Sequence, residues 1–357
     1  MNSKKVLIAP LNWGLGHATR CIPVILEFYR QGAEIFIASD GRSLELLKKE
    51  FPELKYFQLG GYDIKYPENG SMVLQMILQA SKISSAIKRE HAELEKIAEE
   101  NNIDIVFSDN RYGCRSKKAY SVFMTHQLNI QAPPGFKWAE PLISVKNKKF
   151  ISEFDECWVP DFEGKENLSG ILSHPHKLEN IKYIGPLSRF TGDQNPSQKK
   201  YDLMVICSGP EPQRTIFEDL LTKEVLKTKQ KTILVEGITE TKKKTGQKKN
   251  LEIISYADSK EMQSSIESSA FIISRPGYST IMDLVTLGKK AIFVPTPGQT
   301  EQEYLAKYLL EKKYFYSEEQ SKFNLSDALR KSENYTGLKI SSPPRLLNEA
   351  VSRLLSK

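Results

Sequence analysis

The segment Asn12-Trp13-Gly14-Leu15-Gly16-His17 constrains this chain most, because a short apolar run precedes it and a helical pattern follows. Lys4–Pro10 reads as a β-strand and Ala18–Phe28 as a helix. Glycines at a strand-to-helix turn let the backbone approach a ligand and aim the first helical N–H groups at it. His17, beside them, accepts a proton near neutral pH without a large pKa shift. The turn is one glycine short of a dinucleotide fingerprint. It suits an anionic or hydroxyl-bearing ligand held against a general base.

A length of 357 residues exceeds one ordinary core and implies two domains. With 39% hydrophobic and 27% charged residues, the composition is that of a globular protein rather than a disordered one. The net charge of +7 favours anionic partners but does not call for nucleic acid. Cys21, Cys114, Cys157 and Cys207 lie far apart, which argues against a zinc site or disulfide framework and for a reducing compartment. The amino-terminal lysines and apolar run mimic a signal peptide, but the run stops after about six residues without a small-residue cleavage site. A first strand is the better reading. No stretch approaches the roughly 20 apolar residues that span a bilayer, so a cytoplasmic location is expected.

Short β-rich runs alternate with helical periods, the pattern of parallel sheets with crossover helices. The first half offers strands at Val6–Pro10, Glu34–Ser39, Lys55–Leu59, Asp104–Ser108, Ser121–Thr125 and Glu156–Pro160, with helices near Ser43–Glu50 and from about Met72 to Asn101. A second series runs through Asp202–Cys207, Thr232–Glu236, Glu252–Ser255, Phe271–Ser274 and Ala291–Pro295. The polar stretch within 188–200 reads as a linker between domains at 1–187 and 201–357, with the last helix packing back on the first domain. Lys242–Lys249 reads as a solvated loop. The expected fold class is α/β: two Rossmann-like doubly wound domains with a ligand cleft between them, outside the carboxyl ends of the strands.

Three further turns in the second half carry polar residues at strand ends. Ser274-Arg275-Pro276-Gly277-Tyr278-Ser279-Thr280 leads from a strand into a helix, where bare amides suit phosphate oxygens and Asp283, one turn on, suits ribose hydroxyls. Helix capping by Ser279 or Thr280, with Asp283 favoured by the helix dipole, explains the same residues. Pro297-Gly298-Gln299-Thr300-Glu301-Gln302 presents amide and carboxylate groups fit for sugar hydroxyls, or a capped surface helix. Ser208-Gly209, followed by Arg214, resembles a phosphate turn without the glycine-lysine pair of a Walker loop.

Together, the Gly-x-Gly-His turn at 14–17, the Ser-Arg-Pro-Gly-x-Ser-Thr-x-x-Asp block at 274–283 and the Pro-Gly-Gln-Thr-Glu-Gln block at 297–302 resemble nucleotide-sugar glycosyltransferases of the GT-B architecture. The nearest branch is glycosyltransferase family 28, which includes the MurG enzymes. The resemblance implies a carboxyl-terminal domain that holds a nucleotide-sugar, UDP being the favoured nucleotide. Ser208, Gly209, Gly277, Ser279 and Thr280 would then face the diphosphate, Asp283 the ribose, and Gln299, Glu301 and Gln302 the donor sugar. The amino-terminal domain would hold the acceptor, with Gly14 and Gly16 making room and His17 as base. Two departures stand out. The amino-terminal turn has fewer glycines than the Gly-Gly-x-Gly-Gly-His form, and His126-Gln127-Leu128-Asn129 replaces the His-Glu-Gln-Asn of MurG proteins.

The resemblance therefore implies inverting transfer of a sugar to a hydroxyl acceptor, lipid-linked or on a glycan. Asp109 is the candidate for orienting His17, as in the Asp–His pair of similar plant-type transferases, and a helix cap is its other reading. His126 reads either as an acceptor contact or as a core residue, whereas His91, His174 and His176 read as solvated. Arg275 or Arg214, with helix N-termini, would meet the leaving-group charge, so neither metal nor cofactor is expected. Val73, Leu74, Met76, Ile77, Leu78, Ile83 and Ile87 read as core. An alternative exposes part of them beside Lys146, Lys148 and Lys149 as a peripheral contact with the inner face of a membrane. A nucleotide-sugar 2-epimerase of the same architecture and a non-catalytic nucleotide-sugar-binding protein are the rival functions.

Overall fold

A computed structural model describes residues 3–61, 80–133, 135–174, 178–191, 199–238, 243–340 and 345–357. The start of the long helix at Met72, the apolar residues Val73–Leu78, His176 and most of the 188–200 linker lie outside the described residues. The chain forms two compact units, Met1–Leu187 with Ser342–Lys357, and Ser188–Ser341.

The first unit is built on a seven-stranded parallel sheet in the order β3-β2-β1-β4-β5-β6-β7. Its strands are β1 (Lys5–Pro10), β2 (Glu34–Ser39), β3 (Lys55–Gln58), β4 (Ile105–Asp109), β5 (Tyr120–Met124), β6 (Glu156–Val159) and β7 (Ile181–Tyr183). Val6, Leu7, Ile8 and Ala9 are wholly buried, as expected for a central strand covered by helices on both faces. Helices α1 (Leu15–Arg30), α2 (Gly41–Glu50), α3 (Ala80–Asn101) and α4 (Glu140–Ile151) supply that cover. Ile87 is buried and Ile83 half-buried against Leu11, so these two residues of the long helix serve the core rather than a membrane patch. Sequence periodicity did not find α4.

The last helix, α10 (Arg345–Leu355), belongs to this first unit. Arg353 donates two bonds to Glu156, at 2.8 and 2.6 Å, and Lys357, Trp158 and Tyr120 donate to the same carboxylate. Burial pushes the Glu156 carboxyl up, but its donors, Arg353 first, outweigh that and bring it to about 2. A carboxyl held below its ordinary value stabilises the fold above that value and loses the contribution as pH falls towards about 2. Arg353→Ala is therefore expected to cost about 1–2 kcal/mol near neutral pH, discounted for the exposure of Arg353, and to flatten the acid limb of stability below pH 4.5. Thermal unfolding at several pH values checks both.

The second unit repeats the plan with sheet order β10-β11-β9-β8-β12-β13-β14, parallel throughout except for the β10–β11 pair. The strands are β8 (Tyr201–Ile206), β9 (Thr232–Val235), β10 (Thr245–Lys248), β11 (Leu251–Ile254), β12 (Ser269–Ser274), β13 (Ala291–Phe293) and β14 (Tyr316–Ser317). Helices α5 (Gln213–Leu226), α6 (Ser259–Glu267), α7 (Tyr278–Thr286), α8 (Thr300–Glu311) and α9 (Leu325–Ser332) complete it. The lysine-rich segment expected to be a loop instead contains β10, an exposed antiparallel edge. Polar and lysine side chains are what a sheet edge tolerates in water.

Candidate active site

In the first unit, Pro10, Asp109 and Met124 are cross-strand neighbours at the carboxyl ends of β1, β4 and β5. The turns leaving those strands bring His17, Asp109 and His126 to one sheet edge. Gly14 is the N-cap of α1 with φ of 88°, a conformation that disfavours any residue with a Cβ. Gly16 follows inside the first turn, and its carbonyl accepts from Thr19 Oγ1. His17 then stands with Nδ1 3.2 Å from Asp109 Oδ2.

Arg20, one turn further along α1, organises the cluster and was not singled out from the sequence. The available signal was helical spacing, since residues three apart share a helix face. Its Nε donates to Asp109 Oδ2 at 2.8 Å and its Nη2 pairs with Asp109 Oδ1. Its Nη1 lies 3.1 Å from His126 Nδ1 and its Nη2 3.0 Å from His17 Nδ1. Arg20, Asp109 and His126 are all buried, whereas His17 retains some exposure. Burial alone pushes the Asp109 carboxyl up, but Arg20 and then His17 bring it down to about 2.

A guanidinium can only donate, so His126 Nδ1 accepts and its ring proton sits on Nε2. His17 Nδ1 is close to a donor and an acceptor and can satisfy only one. Arg20 Nη2 already bonds Asp109, whereas a wholly buried carboxylate gains from each added donor, so Nδ1–H towards Asp109 is favoured. That tautomer leaves the Nε2 lone pair of His17 free to act as a base. Burial lowers the His17 pKa and Arg20 adds to that, with Asp109 opposing, so the net value falls below the ordinary 6.5 and the ring is neutral at pH 7. His126 is further positioned by Asn147, whose Nδ2 donates to the carbonyls of Gln127 and Leu128.

Of the remaining described histidines, His91 and His174 are half-buried and engaged rather than solvated. His91 Nδ1 lies 3.1 Å from the Arg115 carbonyl, and His174 stacks on Tyr183 at 4.8 Å.

In the second unit, Ile206, Ser274 and Phe293 are likewise cross-strand neighbours at the ends of β8, β12 and β13. The turns after them set Ser208-Gly209, Gly277–Thr280 and Gln299–Gln302 along one edge. Gly209 has φ of 107°, and Gly277 is the N-cap of α7 with no side-chain cap bond. Ser279 and Thr280 form the first turn of α7, whose dipole and amides favour an anion. Gln299 is the N-cap of α8 and Glu301 lies in its first turn, while Gln302 Oε1 accepts from the Thr296 amide at 2.8 Å.

Two expected charge donors are engaged elsewhere. Arg275 is buried, donates to the carbonyls of Val294, Pro295 and Gln213 and to Gln320 Oε1, and stacks 3.9 Å over Phe217. Burial lowers its pKa to about 9. These bonds tie the loops together at this edge. Arg214 is neutralised by Glu211 and Glu218, each at 2.6 Å. Asp283 accepts from Ser188 Oγ at 2.6 Å, with Arg189 Nε 3.9 Å away, and burial raises its pKa to about 6 despite Arg189.

Residues 204–336 match the model of the glycosyltransferase family 28 C-terminal domain, and residues 5–156 match a glycosyl transferase family 1 model. An uncharacterized glycosyltransferase of Methanosarcina acetivorans is 28% identical over 338 residues, covering 87% of this chain and 84% of the relative. The UDP-N-acetylglucosamine–N-acetylmuramyl-(pentapeptide) pyrophosphoryl-undecaprenol N-acetylglucosamine transferase of Buchnera aphidicola is 25% identical over 162 residues, 44% of each chain. Among solved structures, the spinosyn rhamnosyltransferase SpnG complexed with thymidine diphosphate superposes with a TM-score of 0.63 at 12% identity, covering 99% of this chain and 95% of that one.

Proposed function

We propose that this chain, a glycosyltransferase of the two-domain GT-B fold and the family 28 type, moves a sugar with inversion from a nucleoside-diphosphate donor to a hydroxyl acceptor. The observation that carries the reading is the contact between His17 Nδ1 and Asp109 at 3.2 Å, which leaves Nε2 as a base beside a glycine turn. In the reaction, Nε2 takes the acceptor proton as the hydroxyl oxygen attacks the anomeric carbon. The bond from that carbon to the diphosphate oxygen breaks on the opposite face, and the electron pair leaves with the diphosphate.

The leaving charge meets the amides at the start of α7 and the Ser208-Gly209 turn, since Arg214 and Arg275 are committed elsewhere. Gln299, Glu301 and Gln302 hold the donor sugar, and Asp283 binds the ribose once Ser188 yields or shares its oxygen. His126, with its proton on Nε2, donates to the acceptor. UDP is the favoured nucleotide, supported by the name of the Buchnera relative, while the thymidine diphosphate bound in the SpnG structure supports a nucleoside diphosphate in general. The acceptor hydroxyl is carried by a glycan or a lipid-linked molecule.

Release of UDP from a panel of UDP-sugars, with and without added hydroxyl acceptors, tests the assignment. Acceptor-dependent release supports transfer. Sugar isomerisation without release would make the protein an epimerase, and binding without either would make it a binding module. Asp283→Ala is expected to weaken UDP binding about 10- to 100-fold by calorimetric titration, the worth of hydrogen bonds to a charged group. Unchanged affinity would remove Asp283 from the nucleotide site.

A further inference from the structure

Asp40 follows β2 as the N-cap of α2, yet its side chain makes no cap bond. Asn12 does that work from the neighbouring turn, its Oδ1 accepting from the Ser43 amide at 3.3 Å. The Asp40 carboxylate is held in another way. Its Oδ1 accepts from Arg111 Nη1 at 3.0 Å and its Oδ2 from Asn12 Nδ2 at 3.2 Å. Arg111 is itself fixed, with Nε donating to Glu90 Oε1 at 2.6 Å and Nη2 to the carbonyls of Leu59 and Gly60. Arg111 and Glu90 are buried, whereas the Asp40 side chain is 20% exposed. Glu90 already balances the Arg111 charge, so Asp40 brings a surplus negative charge to the accessible end of the network. A carboxylate oxygen can accept two hydrogen bonds, and among the described residues each Asp40 oxygen receives one. Glycines keep this pair clear: a Cβ on Gly61 would stand 2.6 Å from Asp40 Oδ2, and one on Gly41 would collide with the Asn12 side-chain amide.

The register sets this carboxylate on the same sheet edge as the candidate base. Pro10 pairs with Asp109 on one side, and on the other its carbonyl accepts from Ser39 Oγ. Asp40 and Asp109 therefore follow strands on either side of β1, two strand spacings or about 10 Å apart, with the Asn12–His17 turn between them. Resting on the transferase reading above, we propose that Asp40 binds a second hydroxyl of the acceptor while His17 takes the proton of the first. Arg111 and Asn12 hold the carboxylate ready for it. The acceptor class is then a polyhydroxy compound rather than an alcohol with a single hydroxyl. A hydroxyl donates to a carboxylate in a charge-assisted bond, and the surplus negative charge disfavours an anionic group at this position. An acceptor without the second hydroxyl forfeits that bond.

UDP release by the full chain with octyl β-glucoside, 1,2-octanediol and 1-octanol, which share a tail length, tests this. The parent is expected to favour the polyhydroxy acceptors at least about tenfold in kcat/KM, the worth of a hydrogen bond to a charged group. Asp40→Ala should raise their KM about 10- to 100-fold with little change in kcat, the pattern of binding shared by ground and transition states. The loss with octanol should be smaller by that factor, so the preference collapses towards parity. A merely structural role would lower all three alike. Asp40→Asn, close in shape, is the second variant and should lose about tenfold. Thermal unfolding at the parental temperature keeps either loss from reflecting misfolding. Parental turnover of octanol alone or of neither polyhydroxy probe, or equal losses on all three acceptors, overturns the proposal. An absence of release with every acceptor would instead remove the transferase reading.

Discussion

Replacing His17 with alanine is expected to lower acceptor-dependent kcat by about 10²–10⁴-fold, the usual worth of a positioned general base. UDP affinity should be unchanged, because every residue assigned to the nucleotide lies in the second unit. The split between kcat and nucleotide binding separates a lost base from a damaged fold. His17→Gln, close in shape but unable to take up a proton at neutral pH, should fall as far. If either variant turned over at the parental rate while chemistry limits, His17 would not be the base.

The second large effect lies at Arg20, a positioning residue that acts through Asp109 and the two histidines. Arg20→Met leaves the wholly buried Asp109 without its main counter-charge, and breaking such a pair costs about 3–5 kcal/mol. Denaturant unfolding measures that loss. Arg20 also lowers the His17 pKa, so its removal should move the acid limb of the rate profile to higher pH, which a merely structural role would not do. Arg20→Lys keeps the charge but not the three-way fork, and should recover much of the stability without the bond to His126. The double variant Arg20→Met/Asp109→Leu should be less destabilised than the sum of its parts, because no charge is left stranded.

The strands were legible because buried parallel strands are continuous apolar runs, and six such runs carry the candidate site. Their order also put His17 and Asp109 at one sheet edge before any side chain was visible. What escaped was decided by tertiary contact. Arg20 looks like any helical arginine until Asp109 arrives from β4, 89 residues away. Arg275 lies in a block that suggests phosphate, yet burial among carbonyl oxygens commits it to the fold. Helix α4 gave no amphipathic contrast because Leu142 and Val145 are apolar on its outer side. Strand β10 was hidden by lysines that suit an exposed edge.

The pH dependence of acceptor-stimulated UDP release, compared between the parent and His17→Ala, tests the central claim most directly. A base must be deprotonated to act, so the parental rate should rise with pH through an apparent pKa below 6.5 and then level off. The residual rate of His17→Ala should lack that limb. An unchanged acid limb in His17→Ala would assign the titration to another group and contradict the account.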